Sequence, residues 1–564
     1  MRRDATRPGS RPRISSQMMT VHLSRNGRNT LRGDEPGSDI VRNLFTDYFT
    51  YTNLDESKYS RNKKHRIIVS CIWFTIVFCC TLICILFANK LWTKWSQNSL
   101  IIVNTDALVP VHQIPFPAVT VCLETKSMSS KYNFTNNYHL YNNSETRAKM
   151  SVQDLEIFED LTLVCDSHLN SAIGRNFSNP IDSLLNLEKV APTIEEAFFV
   201  CKWKYALTDT CAALFSPILT EEGFCFTFNM LGADDIFRKE NLHSDYVYLK
   251  HSYKSPSWNS ESGYADGTGK DTYPRRGSGY GANMGLVFLV NQNKGDIDYL
   301  CRGPVQGSKV LLHSPSEFPR ISHQYFRTAF NQEAVVAVKP QMLTTSETLR
   351  SYPPERRQCY FSQERYLHYF KVYTQSNCEF ECLTNHTYAK CGCVHIGMPR
   401  GPGMKVCNTG KVECMNGARN DFMEKELDAI LKQGKHCNCL PSCTSIEYET
   451  EISQANYDFK ALCKAYRIGD VDAINENFLM SRVKVFFKSS QFIASQRREM
   501  YGVIDFLADC GGIFGLFLGV SLLSLVKIVY IVSGRISDNL SGRNKRNESD
   551  EFYETVANTS SVLN

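Results

Sequence analysis

The chain carries 63 Lys and Arg against 58 Asp and Glu over 564 residues, a net charge of +5, and 43% of its residues are apolar. A surplus this small, gathered in a Ser/Gly/Pro-bearing N-terminal tail, argues against a nucleic-acid partner and fits attraction to anionic lipid. The length suffices for a substantial core or several subdomains, and no fixed-period repeat divides it.

Residues 1–66 hold 14 Lys and Arg against 7 Asp and Glu, with Lys63, Lys64 and Arg66 abutting the apolar run Ile67–Ala88. A second such run, Cys510–Val532, lies near the other end. A helix rises about 1.5 Å per residue and a hydrocarbon core is about 30 Å thick, so each run is long enough to span. The positive charge places both tails in the cytoplasm and everything between the spans outside the cell. The first run is too long, too far from the start and without a small-residue cleavage site to be a secretory signal; it serves as its own insertion signal. The expected layout is a tail (1–66), a first span (67–89), an extracellular domain (90–500), a pre-membrane segment with the second span (501–532) and a tail (533–564), in a multi-pass plasma-membrane protein.

Cysteines test this independently. Of 22, 17 lie between the spans, four lie in the first span (Cys71, Cys79, Cys80, Cys84), Cys510 opens the second, and neither tail has any. That segregation suits an oxidising exterior. Sequons at Asn133, Asn142, Asn176 and Asn385 fall in the same region and are read as glycosylated, whereas those at Asn539, Asn547 and Asn558 are cytoplasmic and stay bare.

Along the ectodomain, prolines precede an alternating run at Ile114–Cys122, read as a strand entering a sheet. Residues 123–220 mix sequons and polar loops with helical periodicity at Val152–Cys165 and Ile181–Val190, a peripheral region. Further strands are expected at Gly223–Asn229, Gly285–Val290, Val310–His313 and Glu333–Val338, giving one mixed, mostly antiparallel central sheet. Gly277-Ser278-Gly279-Tyr280-Gly281 mimics a phosphate-binding loop, but neither follows a clear strand nor opens a helix, so the stretch Ser260–Gly285 reads as a flexible loop.

Ten cysteines crowd into Cys359–Cys443. Zinc is the competing reading, with Cys391/Cys393 and Cys437/Cys439 as close thiol pairs; the extracellular position favours disulfides, and no metal is expected. A helix within the region is expected to be capped by Asn420, to carry the apolar stripe Met423, Leu427, Ile430 and Leu431, and to end at Gly434.

The second span contains Gly511, Gly512, Gly515, Gly519 and Ser521. Small residues every four positions build either a helix-packing face or the polar lining of an ion pathway, and the span alone leaves both open. Ser521 lacks the turn motif and nearby base of a catalytic serine, and no enzyme constellation or cofactor motif stands out elsewhere.

Five motifs in order carry a resemblance: Phe116-Pro-Ala-Val-Thr-Val-Cys122, Gly223-Phe-Cys-Phe-Thr-Phe-Asn229, Tyr352-Pro-Pro-Glu-Arg-Arg-Gln-Cys-Tyr-Phe361, Tyr373-Thr-Gln-Ser-Asn-Cys378 with Glu381-Cys382, and Asp509-Cys-Gly-Gly-Ile-Phe-Gly-Leu-Phe-Leu-Gly-Val-Ser521. From about Phe45 to Val532 the chain resembles the degenerin/epithelial sodium channel superfamily, most of all its insect pickpocket branch. The resemblance implies a homo- or heterotrimer of two-span subunits with a disulfide-rich α+β ectodomain like that of acid-sensing ion channels, made of palm, finger, thumb, knuckle and β-ball. It implies the bridges Cys359–Cys443, Cys378–Cys439, Cys382–Cys437, Cys391–Cys414 and Cys393–Cys407 in the thumb (359–443), with Cys122–Cys225 and Cys201–Cys211 elsewhere. Cys165, Cys301 and Cys463 are left over, their pairing undecided.

By the same resemblance Gly519, Val520 and Ser521 form the selectivity filter, where a break in the helix lets carbonyls and a hydroxyl replace water around Na⁺. Asp509 is the outer-mouth acidic residue, and Ala508 is the gating position where a bulky side chain holds the pore open. The implied function is a voltage-independent, amiloride-sensitive sodium channel subunit opened by an extracellular chemical or mechanical cue in a sensory setting. Three departures qualify it. Lys527 replaces a glutamate eight residues below the filter glycine, about 12 Å deeper on a helix. Asp55-Glu56 stand where a His-Gly pair supports gating, and Arg356 replaces an aromatic residue of acid-sensing relatives, so proton gating does not carry over. A mixed complex with other family subunits is therefore favoured over a homomer. The competing class is a non-conducting or regulatory two-span surface receptor; an ATP-gated trimer lacks a recognisable basic nucleotide site.

Overall fold

The computed structural model describes residues 63–97, 100–165, 180–208, 210–246, 258–432, 437–467 and 477–519, with 526, 529, 530 and 533. Two compact units emerge, Lys90–Asp509 and the pair of segments Met1–Asn89 with Cys510–Asn564. Among the described residues one helix is long and apolar enough to cross a membrane, the Cys71–Ser96 stretch of Lys63–Gln97. Most of its apolar side chains, among them Ile68, Phe74, Phe78 and Leu86, are exposed, as suits a lipid-facing surface, whereas Cys84 is buried and Phe87 stacks on Phe517 with ring centroids 5.9 Å apart. The second expected span is described as the helix Val503–Leu518 and a few positions beyond it.

Within Lys90–Asp509 the strands are β1 (Leu100–Pro110), β2 (Ala118–Leu123), β3 (Phe198–Trp203), β4 (Ala206–Leu207), β5 (Phe215–Thr220), β6 (Gly223–Phe228), β7 (Trp258–Asn259), β8 (Gly263–Tyr264), β9 (Leu286–Asn293), β10 (Ser308–His313), β11 (Phe326–Thr328), β12 (Gln332–Thr345), β13 (Ser445–Asn456), β14 (Phe478–Phe487) and β15 (Gln491–Glu499). They form two main sheets rather than the single one expected. The larger runs β1-β15-β12-β14-β9-β3-β4, with β13 on the other edge of β12; the smaller runs β11-β10-β2-β6-β5 and is antiparallel throughout. The motif strands around Cys122, Cys225 and Val310 belong to the smaller sheet. All six residues of β2 are buried, so its two faces serve two cores and its alternation does not separate inside from outside.

β12 is the axis of the larger sheet. Ala334, Val336 and Val338 point into the core between the sheets, while Glu333 reaches Arg482 and Lys484 on β14. β14 and β15 follow one another along β12, both parallel to it. β1, leaving the first membrane helix, pairs antiparallel with β15, which feeds Val503–Leu518, and Leu100 lies opposite Glu499. The two ends of the unit Lys90–Asp509 are thereby hydrogen-bonded to one another. Between the sheets Phe116, Phe198, Phe215, Phe228, Phe288 and Phe487 are nearly or fully buried, with ring centroids as close as 4.5 Å for Phe198–Phe215. Each such side chain contributes about 1.5–3 kcal/mol by burial.

The peripheral helices have their own core of Phe134, Phe158, Leu161, Leu184 and Leu187. Val152–Thr162 is capped by Ser151, whose hydroxyl accepts from the Asp154 amide, and Pro180–Val190 lies against it. A bridge between Cys165 and Cys301 anchors this region, which settles the pairing left open and leaves Cys463 as a buried free thiol.

The remaining bridges are Cys122–Cys225, Cys201–Cys211, Cys359–Cys443, Cys378–Cys439, Cys382–Cys437, Cys391–Cys414 and Cys393–Cys407. Among the described residues no cluster suited to a metal ion occurs. Cys391–Cys414 staples Gln375–Cys391 to a second helix that runs Val412–Leu431, so Asn420 is mid-helix and not a cap. The staple fixes the helix's rotation: Met415, Ala418 and Phe422 are buried, and the expected core stripe Met423, Leu427 and Leu431 is exposed. Gly434 lies outside the described residues, as does the Ile430 side chain. The glycine-rich loop opens no helix either, and it is packed against the sheet: a Cβ on Gly277 would meet Phe487 at 2.5 Å, and the Gly281 amide donates to the Phe487 carbonyl.

A buried ionic cluster ties the smaller sheet to the peripheral helices. Arg302 donates to Glu124 (2.7 Å), Glu222 (2.6 Å) and the Val164 carbonyl, Lys309 donates to Glu222 (2.8 Å), and Arg327 to Glu124 (2.6 Å). Burial opposes ionisation of Glu222, but Lys126, Arg302 and Lys309 outweigh it and hold its carboxyl down at about 2. Because that value lies below the unfolded one, the stabilising contribution of Glu222 is complete above about pH 4.5 and is lost as pH falls towards 2, while burial, which lowers the Lys126 ammonium to about 8, opposes it within the same cluster. Glu222→Gln is expected to lower the melting temperature at neutral pH and to flatten its decline on acidification, read by thermal melts of the detergent-solubilised protein across pH.

Candidate ion pathway and its coupling to the ectodomain

The helix Val503–Leu518 starts where Gly502 follows Tyr501. Asp505 in its first turn accepts from the Gly502 amide at 3.0 Å, and its charge suits the positive end of the helix dipole. Ala508 and Asp509 are exposed about one and a half turns in. Asp509 is not free-standing: the Tyr501 hydroxyl donates to its Oδ2 at 2.7 Å. Tyr501 is 5% exposed, and the Lys94 ammonium sits 4.4 Å from its ring centroid.

In the membrane unit the glycines Gly511, Gly515 and Gly519 are exposed, and a Cβ built on Gly511, Gly512 or Gly519 would meet nothing within 4 Å. The helix ends at Leu518. Gly519 closes it with φ +64° while its amide still donates to the Gly515 carbonyl, a left-handed terminus that glycine alone adopts freely. The described helix thus breaks at the first residue of Gly519-Val520-Ser521. Val520, Ser521 and Lys527 lie outside the described residues, as do Asp55, Glu56 and Asn176. Asn133, Asn142 and Asn385 are exposed, and Asn133 also caps Phe134–Asn142 through the Asn136 amide.

At the end of the first helix, within the unit Lys90–Asp509, Arg356 lies between two aromatic rings, 4.7 Å from the Trp95 centroid and 4.2 Å from that of Tyr352, and donates to the Trp95 carbonyl at 3.2 Å. Trp95 stacks in turn on Phe506 (5.4 Å) and packs on Trp92 (5.2 Å). One side chain from the base of the disulfide-laddered region therefore touches both the outgoing first helix and, through Trp95, the start of the second. The sequence marked Arg356 as a departure without indicating this stacking. Tyr501, Lys94 and Trp95 carried no motif that would have singled them out.

A family model described as amiloride-sensitive sodium channel matches residues 48–531. The chain belongs to the amiloride-sensitive sodium channel family. It is 28% identical to Pickpocket protein 28 of Drosophila melanogaster over 489 residues, 84% of this chain and 76% of that one. With Sodium channel protein Nach of Drosophila melanogaster the identity is 23% over 506 residues, 88% of each. Acid-sensing ion channel 2 of Rattus norvegicus shares 28% over 257 residues, 44% of this chain and 47% of the relative. These relatives place the chain in the insect pickpocket branch. As an amiloride-sensitive sodium channel family member it is a cation channel subunit and not an enzyme, in a family of plasma-membrane channels assembled from several subunits.

Cation–π contacts contribute about 0.5–2 kcal/mol depending on exposure. Arg356→Ala and Trp95→Ala are each expected to shift the open–closed equilibrium several-fold, and the double variant no further than the larger single one, as read by open probability in single-channel records.

Proposed function

We propose that the protein is a voltage-independent, sodium-selective and amiloride-sensitive channel subunit, opened by an extracellular chemical or mechanical stimulus in sensory cells and working in a trimer with other subunits of its family. The observation that carries this reading is the break in the second apolar helix at Gly519, with φ +64°, in a segment whose glycines Gly511, Gly512 and Gly519 are uncovered in the single chain. Three such breaks around an axis would turn backbone carbonyls and the Ser521 hydroxyl towards partly dehydrated Na⁺, the filter being Gly519, Val520 and Ser521. Asp509 would concentrate cations at the outer mouth by its field. Strain would pass from the disulfide-stiffened thumb through Arg356 to Trp95 and Phe506, and along β12 to β15.

Lys527 favours heteromers. A lysine costs about 2.5–3.5 kcal/mol at mid-bilayer on insertion scales and less near the cytoplasmic end, where Lys527 is expected and can snorkel to the interface, and three facing one pore would oppose cation flow. A single copy mixed with relatives that lack it relieves both problems. The same residue supports a second reading, a non-conducting or regulatory two-span surface receptor subunit. Whole-cell recording of the subunit alone and with family relatives, with and without amiloride, decides between them. Amiloride-blocked sodium current that requires the mixture fits the proposal; ligand binding with no current in any combination fits the receptor reading.

A further inference from the structure

We propose that Tyr501 is a positioning residue for the pore-mouth carboxylate: its hydroxyl holds one oxygen of Asp509 against the subunit's own helix and so sets how tightly the mouth binds divalent cations. The inference rests on the assignment of Asp509 to the outer mouth. It starts from geometry within one compact unit. Tyr501 precedes the helix and Asp509 lies eight residues on, yet the phenol reaches along two turns to donate to Oδ2 at 2.7 Å, with the Asp505 carbonyl 3.3 Å from the same hydroxyl. The ring is buried, while the carboxylate it reaches is exposed. A hydrogen bond from a fixed, buried donor to an exposed carboxylate leaves that carboxylate one oriented oxygen and one occupied oxygen.

The other charges here are Lys94, whose ammonium lies on the face of the Tyr501 ring, and Asp505, whose carboxylate is turned back to the Gly502 amide. Neither side chain makes the bond to Asp509 that Tyr501 makes. A cation on the ring face draws electron density from the phenol and strengthens the hydroxyl as a donor. Asp509 is thus held by a phenol that is buried, oriented and polarised.

Calcium takes six to eight oxygen ligands and gains from bidentate carboxylates, whereas passing Na⁺ needs only a field. Carboxylates with one oxygen engaged are poor calcium chelators and still attract monovalent ions. Freed of Tyr501, they can turn both oxygens to a divalent ion on the axis, and calcium then blocks at lower concentration.

Tyr501→Phe removes one oxygen and keeps the ring that Lys94 covers. In the subunit co-expressed with a conducting relative, the half-blocking external Ca²⁺ concentration is expected to fall at least three-fold, with lower unitary Na⁺ current in millimolar Ca²⁺, unchanged current in Ca²⁺-free solution and unchanged Na⁺ selectivity. Asp509→Glu, which carries the carboxylate past the hydroxyl, should reproduce the tighter block, and Tyr501→Phe should then add nothing to it. Asp509→Asn should weaken block and make Tyr501→Phe silent. If Asp509→Asn alters block while Tyr501→Phe and Asp509→Glu leave it unchanged, the positioning role is overturned; if Asp509→Asn itself changes neither block nor conductance, the assignment of Asp509 to the mouth is what fails.

Discussion

Replacing Ala508 with phenylalanine should leave the channel standing open. Ala508 is exposed on Val503–Leu518 next to Asp509, and in the proposed trimer three copies of this helix would meet there in the closed state with room for little more than a methyl group. Forcing extra methylenes into a packed contact costs about 1–3 kcal/mol per site. Three sites would destabilise the closed arrangement by about 3–9 kcal/mol, and every 1.4 kcal/mol is tenfold in the equilibrium. In a heteromer with one altered subunit the shift is smaller, about five-fold to a hundredfold. The expected record is a large stimulus-independent sodium current in cells expressing the Ala508→Phe subunit with its relatives. An Ala508→Gly control should stay closed. Unchanged resting current with normal surface expression would remove Ala508 from the gate.

Substituting Gly519 should have the second large effect, on permeation rather than gating. At φ +64° an L-residue pays about 1–2 kcal/mol, and a β-branched one more. No neighbour blocks a Cβ there, so the cost is conformational and not steric crowding. Gly519→Val is expected to shift the backbone out of the left-handed region and extend the helix, turning the following carbonyls back into the helical ladder. Sodium current should fall at least tenfold with surface delivery preserved, and any residual current should discriminate poorly between Na⁺ and K⁺. Gly519→Ala should lie between the two.

Local chemistry made much of this molecule legible. Apolar runs marked β6, β9, β10 and part of β12, helical periodicity from Val152 marked the helix Val152–Thr162, and the first span is a continuous apolar helix. What the sequence hid was set by long-range partners. Periodicity shows that the helix Val412–Leu431 has apolar faces, but the Cys391–Cys414 staple decides that Phe422 turns inward and Leu427 outward. A fully buried strand such as β2 alternates between two cores, so one sheet could not be told from two. The Cys165–Cys301 bridge spans 136 positions, and the Arg356–Trp95 stack joins residues 261 apart, separations at which a single sequence holds no pairing signal. At the pathway itself, the residue types of Gly519 and Asp509 were readable from the motif, whereas the tyrosine holding Asp509 was visible only in three dimensions.

The reversal potential of the current, measured while external Na⁺ is exchanged for K⁺ and then for a larger organic cation, tests the central claim most directly when compared between the native subunit and a Ser521 variant expressed with the same relatives. A filter built from Gly519 to Ser521 predicts a large negative shift on each exchange for the native complex and a reduced shift for Ser521→Val. Identical reversal potentials in the two, with the altered subunit present at the surface in the same assembly, would contradict it.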